Sequence, residues 1–399
     1  MHCTRKVTPS ITWVGGSDYR LALFENLFPI PRGVAYNSYV IEDEKTALMD
    51  TADASITEQF LENVTYALHG RALDYLVVQH MEPDHCANIA QILLRHPNAK
   101  IVCNQKTLTL IQQFYDADLQ EKVVLVKDGD CLSLGSHELH FAFTPMVHWP
   151  EVMVTYESTE KILFSADAFG SFGAINGNLF ADELHFDRDW LADARRYYSN
   201  IVGKYGPQVQ NALKKLGGLD IRIICPLHGP IWREDLGYLL GKYDLWSRYE
   251  PEDKAVCIFF ASMYGDTENA AQILATKLAE GGVKDIMMYD ISRTDVSYLI
   301  GEIFRASHIV LAAPTYNNGV YPAMANLLHD MKALNVQNRT IGLMENGSWA
   351  PVAGKLIKEE LSALKNITLL EPAVTIRSAV KGDTVEQIEK LKDAIIASL

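Results

Sequence analysis

The chain has 399 residues, with 36 basic side chains against 50 acidic ones and a net charge of -14. Such a surface repels phosphate backbones, which argues against nucleic acid as a partner. With 48% hydrophobic and 22% charged residues the composition is that of a globular chain, not a disordered one.

No run of about 18 apolar residues is present, so no membrane span is expected. The opening M-H-C-T-R-K-V-T-P-S lacks the apolar run of a secretory leader, and a cytoplasmic protein is expected. Cys3, Cys86, Cys103, Cys131, Cys225 and Cys257 form no C-x-x-C pair and read as scattered reduced thiols. No rubredoxin-like cysteine site is encoded.

Strand-like runs at 11–14, 36–42 and 46–50 come first. Strand–helix pairs follow, then a strand-rich stretch at 138–156 and helix at 187–215. This mixture predicts two packed sheets with helices outside. Segment 243–254 is polar, holds Pro251 and carries four acidic residues. It predicts a domain boundary, with 1–250 on one side and 251–399 on the other. Beyond it, apolar runs at 255–260, 285–289, 308–313, 340–344 and 367–375 alternate with helical patterns at 268–281, 321–333, 350–364 and 384–398. Strand alternating with helix predicts a doubly wound parallel sheet of the flavodoxin type.

In the first part, the apolar run 73–78 ends in Gln79-His80-Met81-Glu82-Pro83-Asp84-His85, and a helical pattern starts near Ala87. A short loop is expected to carry the two imidazoles and two carboxylates. Three more apolar runs end the same way: 139–146 before His148, 161–164 before Asp167, and 221–224 before His228. Each of these residues alone could be an ordinary hydrogen-bonded or capping loop residue. Together, His80, Glu82, Asp84, His85, His148, Asp167 and His228 are too many ligands for one four-coordinate ion and suit two metals with a bridge. Alternation places residues 80 and 82 on one side and sends 84 and 85 the other way. Trp149 could line the pocket or pack in the core.

The series His80-x-Glu82-x-Asp84-His85, then His148, Asp167 and His228, resembles the metallo-β-lactamase-fold site in its flavodiiron variant. The strings T-A-L-M-D-T, L-D-Y-L-V-V, M-V-H-W-P, S-A-D-A-F-G and L-H-G-P-I-W-R carry the same resemblance, which spans nearly the whole chain. Hydrolases of this fold usually have a histidine where Glu82 stands. The carboxylate hardens the site and favours iron or manganese over zinc. The resemblance implies an N-terminal αββα sandwich in which His80, Glu82 and His148 hold one iron. Asp84, His85 and His228 would hold the other, and Asp167 would bridge them.

The second part opens on Ser262-Met263-Tyr264-Gly265-Asp266-Thr267 between a strand and a helix. Its hydroxyls, its glycine and the free N–H groups of the helix start suit a phosphate. Neither G-x-x-x-x-G-K-[ST] nor G-x-G-x-x-G is present, which argues against a nucleotide triphosphate and a dinucleotide. Two more loops follow strands of the same sheet. One holds Pro314, Thr315, Tyr316, Asn317 and Gly319, and the other Asn346, Gly347, Ser348 and Trp349. Rings and small polar groups suit an isoalloxazine, so FMN is the expected cofactor. The pattern resembles flavodoxins, except that Asp266 stands where such loops often have asparagine. An acidic residue there weakens the phosphate contact unless it faces away.

The family resemblance implies an oxidoreductase that reduces dioxygen to water, nitric oxide to nitrous oxide, or both. Two ferrous ions and a reduced flavin together store the four electrons of one dioxygen reduction. It also implies a head-to-tail homodimer or a dimer of dimers, since the flavin and irons of one chain lie too far apart. The donor would be rubredoxin or a reduced deazaflavin coenzyme. Two other classes stay open: a dizinc hydrolase with an accessory flavin domain, and a flavodoxin-type electron carrier on an inert scaffold.

Overall fold

A computed structural model of the chain describes residues 2–116 and 121–399. The chain divides into two compact units. One comprises Met1–Tyr198 and Pro207–Tyr243; the other comprises Ser199–Gly206 and Asp244–Leu399.

The first unit holds two mixed sheets. One runs in the order Arg5–Lys6, Ile11–Trp13, Tyr39–Glu42, Thr46–Met49, Tyr75–Val77, Lys100–Cys103, Val123–Leu125. The other runs Cys131–Ser133, Glu138–Phe143, Met153–Glu157, Ile162–Phe164, Ile223–Cys225. Period-2 alternation aims Tyr39 and Ile41, Ala47 and Met49 from the first sheet into one core with Leu139 and Phe141 from the second. Helix Thr57–Ala67 buries Phe60, Leu61, Val64 and Ala67, a stripe at helical spacing.

In this unit two details differ from the sequence reading. The strand expected over 139–146 stops at Phe143, and a loop carries His148. Pro145 lacks the N–H that a continuing ladder needs. Asp84 and His85 sit on a helical turn, Pro83–Cys86, not in a loop. Proline at the first helical position is preset for that turn.

The second unit is one largely parallel sheet in the order Ile286–Asp290, Asp253–Phe260, Ala306–Tyr316, Arg339–Asn346, Ile367–Leu369. The second strand in chain order lies outermost, as in flavodoxin-like sheets. Val256, Ile258 and Phe260 pack with Ala270 and Leu274 of helix Asp266–Glu280 and with Ile388 and Leu391 of helix Gly382–Ser398. Ala255, Cys257 and Phe259, on the opposite face, are buried too, which explains the unbroken apolar run. The expected strand 367–375 is two pieces, Ile367–Leu369 and Val374–Ile376, with Pro372 between them. Helix Val296–Arg305 was not foreseen; Asp295 caps it by accepting the Ser297 N–H at 3.0 Å. Among the described residues no helix is long and apolar enough to cross a membrane.

Candidate metal centre and flavin pocket

The strand Tyr75–Val77 delivers His80 and Glu82 in extended backbone, and the turn that starts at Pro83 swings Asp84 and His85 away. The seven expected ligands separate accordingly. His80, Glu82, His148 and Asp167 offer atoms within 4.8 Å of one another, and so do Asp84, His85 and His228. The His148 Nε2 lies 3.1 Å from Glu82 Oε2 and 2.9 Å from Asp167 Oδ2. The His80 Nε2 lies 3.1 Å from Glu82 Oε2 and 3.3 Å from Asp167 Oδ2. On the other side, Asp84 Oδ2 is 3.3 Å from His85 Nε2 and 3.2 Å from His228 Nε2. The remaining oxygen of Asp167, Oδ1, faces this second group at 3.2 Å from His85 Nε2. One carboxylate thus addresses both clusters, one oxygen each.

The arrangement fits cations. The His85 and His228 Nε2 atoms face each other at 3.0 Å, and two imidazole lone pairs so placed repel without a cation or proton between them. Apart from these ion-pair contacts with the histidines, both Asp84 oxygens and Asp167 Oδ1 are buried without a hydrogen-bond partner among the described residues. Leaving such atoms bare is costly, and a metal would satisfy them. Burial alone would lower His85 and His148, but the carboxylates around them raise both to about 9. Burial would raise Glu82 and Asp167, yet the histidines hold both well below the carboxylate range. The site calls for positive charge at its centre.

Buried polar groups set the ligand directions. Glu151 Oε1 lies 2.8 Å from His80 Nδ1 and accepts the Met81 N–H at 2.9 Å. The Ala35 carbonyl lies 2.8 Å from His228 Nδ1. Both contacts turn Nε2 toward the centre and fix the tautomer. Asp50 accepts the backbone and side-chain N–H groups of Gln79 at 2.8 Å each, and burial pushes its carboxyl up to about 6. Asn37 donates to the Pro226 and Gly229 carbonyls, both at 2.9 Å, which holds the His228 loop. Asp50, Met146 and Ala166, each beside a ligand segment, take left-handed backbone with φ of 53°, 65° and 50°. Such strain in non-glycine residues persists where the surroundings over-determine it. Trp149 is half-buried and edge-on to His80, 5.3 Å between ring centres, and packs with Val152, Ala166 and Leu227. It thus packs beside a site histidine and within a small apolar cluster at once. Phe24 and Tyr197 lie near His228, with ring centres 5.2 and 5.5 Å away, and the Tyr197 hydroxyl is buried without a hydrogen-bond partner among the described residues.

Sequence reasoning missed Glu151, Asp50, Asn37 and Tyr197. Glu151 was the most accessible of these, standing just beyond M-V-H-W-P.

The second unit holds a cavity of about 710 Å³ at the ends of three strands. Ser262, Met263, Tyr264, Asp266 and Thr267 line it, with Pro314, Thr315, Tyr316 and Asn317, and with Asn346, Gly347, Ser348 and Trp349. Gly265 and Gly319 do not. Gly265 has φ 97° and caps the helix start, so it shapes the turn. Gly319 sits in a short strand paired with Thr315–Tyr316. The structure adds Asn318, Ala350 and Ser378 to the lining. Asn346 Nδ2 donates to the Thr267 hydroxyl at 3.3 Å and to the Ser378 carbonyl at 3.0 Å, which ties the first loop to a segment the sequence did not flag. Thr315 Oγ1 accepts the Val352 and Ala353 N–H groups, so only its proton is left for a ligand. Tyr264 and Trp349 are 93% and 87% exposed. Such open rings offer stacking faces to a planar ligand.

Residues 34–229 match the family model described as ODP family beta lactamase, and residues 258–395 match that for flavodoxin. The chain is 32% identical over 398 residues to a nitric oxide reductase of Moorella thermoacetica, covering 98% of each chain. It is 31% identical to the rubredoxin-oxygen oxidoreductase of Megalodesulfovibrio gigas, covering 99% of this chain and 98% of that one. The solved rubredoxin oxygen:oxidoreductase from Desulfovibrio gigas superposes with a TM-score of 0.92 at 29% identity, covering 99% and 98% of the two chains. The flavodiiron protein of Giardia intestinalis does so with 0.91 at 25%, covering 100% and 98%. The chain belongs to the flavodiiron protein family. It is an oxidoreductase of metallo-β-lactamase-like and flavodoxin-like units, with FMN and a diiron site as its cofactors. The hydrolase alternative is not favoured.

Proposed function

We propose that this flavodiiron protein reduces dioxygen to water, nitric oxide to nitrous oxide, or both. In this reading His80, Glu82 and His148 hold one iron and Asp84, His85 and His228 the other, with Asp167 bridging. The split of the Asp167 carboxylate, Oδ2 toward His148 and Oδ1 toward His85, is the observation that carries the reading. When bound, the irons supply an open coordination site and electrons for the gas, and FMN resupplies them. The chain's own residues do the rest. Glu151 and the Ala35 carbonyl hold two imidazoles in register. Trp149, Phe24 and Tyr197 pack their rings against His80 and His228.

The same reading takes 1–250 as the diiron domain and 251–399 as the flavin domain, supported by the matches at 34–229 and 258–395. A cytoplasmic setting is supported by six free cysteines. A rubredoxin-type donor is supported by the relative that bears that name, with a reduced deazaflavin as the other option. A head-to-tail homodimer or dimer of dimers is supported by the exposed Tyr264 and Trp349 at the flavin pocket, which a second chain could cover.

The test is anaerobic single-turnover stopped flow on reduced protein, with iron and flavin assayed on the same sample. Rapid oxidation by dioxygen with little peroxide identifies a four-electron oxygen reductase. Slow, peroxide-forming oxidation with fast nitric oxide turnover identifies a nitric oxide reductase. Inertness toward both gases in a fully loaded sample would sink the proposal.

A further inference from the structure

The flavin pocket carries one charged side chain, and it has the wrong sign for a phosphate. Among its sixteen described lining residues there is no lysine, arginine or histidine, and Asp266 is the only acid. Asp266 is the first residue of helix Asp266–Glu280, is half-buried, and lines the cavity together with Ser262 on the loop and the buried Thr267. The N–H groups that open this helix have no earlier helical carbonyl to bond, and the first such bond begins at Asn269, whose N–H reaches the Gly265 carbonyl at 2.8 Å. The loop is already closed by the Gly265 N–H bonded to Ser262 Oγ at 3.0 Å, which leaves the Ser262 hydroxyl proton for a ligand. Neutral donors and a helix dipole are therefore what draws an anion here. A carboxylate at the first helical position neutralises part of that field. Because Asp266 also lines the cavity, it opposes an anionic ligand directly.

We propose that Asp266 sets the flavin affinity of this protein. Its charge opposes the FMN phosphate, narrows the margin by which FMN is preferred to phosphate-free riboflavin, and makes FMN binding tighten as salt rises. The proposal rests on the flavin reading of the pocket. Its sign follows from like-charge repulsion, which added salt screens. The net charge of -14 also repels FMN, so the variant and not the wild type alone isolates the local effect.

The experiment uses full-length protein stripped of flavin and titrated with FMN and with riboflavin by quenching of flavin fluorescence, at low and high salt. Wild type, Asp266→Asn and Asp266→Ala are compared. At low salt both variants are expected to bind FMN about tenfold more tightly, with riboflavin affinity changed less than twofold. Their salt dependence for FMN should be flatter than the wild type's. An unchanged ratio of FMN to riboflavin affinity in both variants would overturn the proposal. Tightening in Asp266→Asn alone would assign the gain to an amide hydrogen bond and would also overturn it. If the wild type binds neither flavin, the flavin reading itself fails and the inference with it.

Discussion

The two sites are built on opposite plans. All seven metal-site side chains are nearly or fully buried, and their directions are set by other buried groups such as Glu151 and Asp50. The flavin pocket is open, and Tyr264 and Trp349 stand largely in solvent at its rim. The difference follows from the ligands. A small cation with directional bonds needs preplaced atoms, and desolvation strengthens each contact. A large planar cofactor supplies its own apolar face and can complete its own pocket. Damage to the first site should therefore be severe and specific, and damage to the second graded.

The largest effect is expected for Asp167→Ala. It removes the one carboxylate shared by both clusters, so iron content and gas turnover should fall by about 100-fold or more while FMN stays bound. His148→Ala should follow the same pattern. Parallel metal analysis and flavin spectra would decide, and turnover persisting in an iron-depleted variant would break the assignment. Glu151→Gln comes next. It weakens the grip on His80 without touching a metal, and iron affinity should drop about 10- to 100-fold with flavin unaffected. An unchanged iron affinity on chelator titration would reduce Glu151 to a packing role.

Thr267→Ala tests the graded site. Loss of one hydroxyl, already bonded to Asn346, should weaken FMN by about 1 kcal/mol and leave iron in place. An unaltered flavin affinity would remove Thr267 from the phosphate contact.

The smallest effect concerns a polar cluster that shares no residue with either site. His137 lies between Asp43, with Oδ2 2.8 Å from Nδ1, and Ser10, with Oγ 3.1 Å from Nε2. Glu160 accepts from Ser10 and Thr8. The cluster joins the turn after Tyr39–Glu42 to the turn before Glu138–Phe143, and so pins one sheet to the other. Burial would raise Asp43, but hydrogen bonds from the His137 N–H and ring, the Glu44 N–H and the Ser136 hydroxyl together hold the carboxyl below its ordinary range. A depressed folded value stabilises above about pH 4 and loses that contribution as pH falls further. Asp43→Asn should cost about 1 kcal/mol at pH 7, and the cost should fade only well below about pH 3, where the folded carboxylate itself takes a proton. Exchange of the His137 amide from pH 7 down into that range would show it, and a cost that stays constant through the most acid pH values would contradict the titration.

Much of this was legible because chemistry and context disagreed in the sequence. His80, Glu82, Asp84 and His85 follow an apolar strand that gains nothing from them, so their presence pointed to a ligand. Glu151 has no such contrast: one glutamate after Trp149-Pro150 is ordinary until His80, 71 residues earlier, is found 2.8 Å away. Asp50 and Asn37 stayed hidden for the same reason, since their partners are backbone groups of distant loops. Local errors had local causes. Proline ended a strand early at Pro145 and split another at Pro372, while Pro83 turned an expected loop into a helical turn.

The amino-acid order by itself determined the clustered metal-ligand residue types, the two sheet patterns and the loop proposed for the phosphate, because periodicity and residue chemistry are properties of short segments. It did not determine which atom faces which. His85 and His228 are 143 residues apart, and their Nε2 atoms meet at 3.0 Å only because strands of two different sheets end at one place. The separate duties of the two Asp167 oxygens arise there too, as does the exposure of Asp266 to its cavity. Directions of this kind are set by packing between distant segments, and only the tertiary structure fixes that packing.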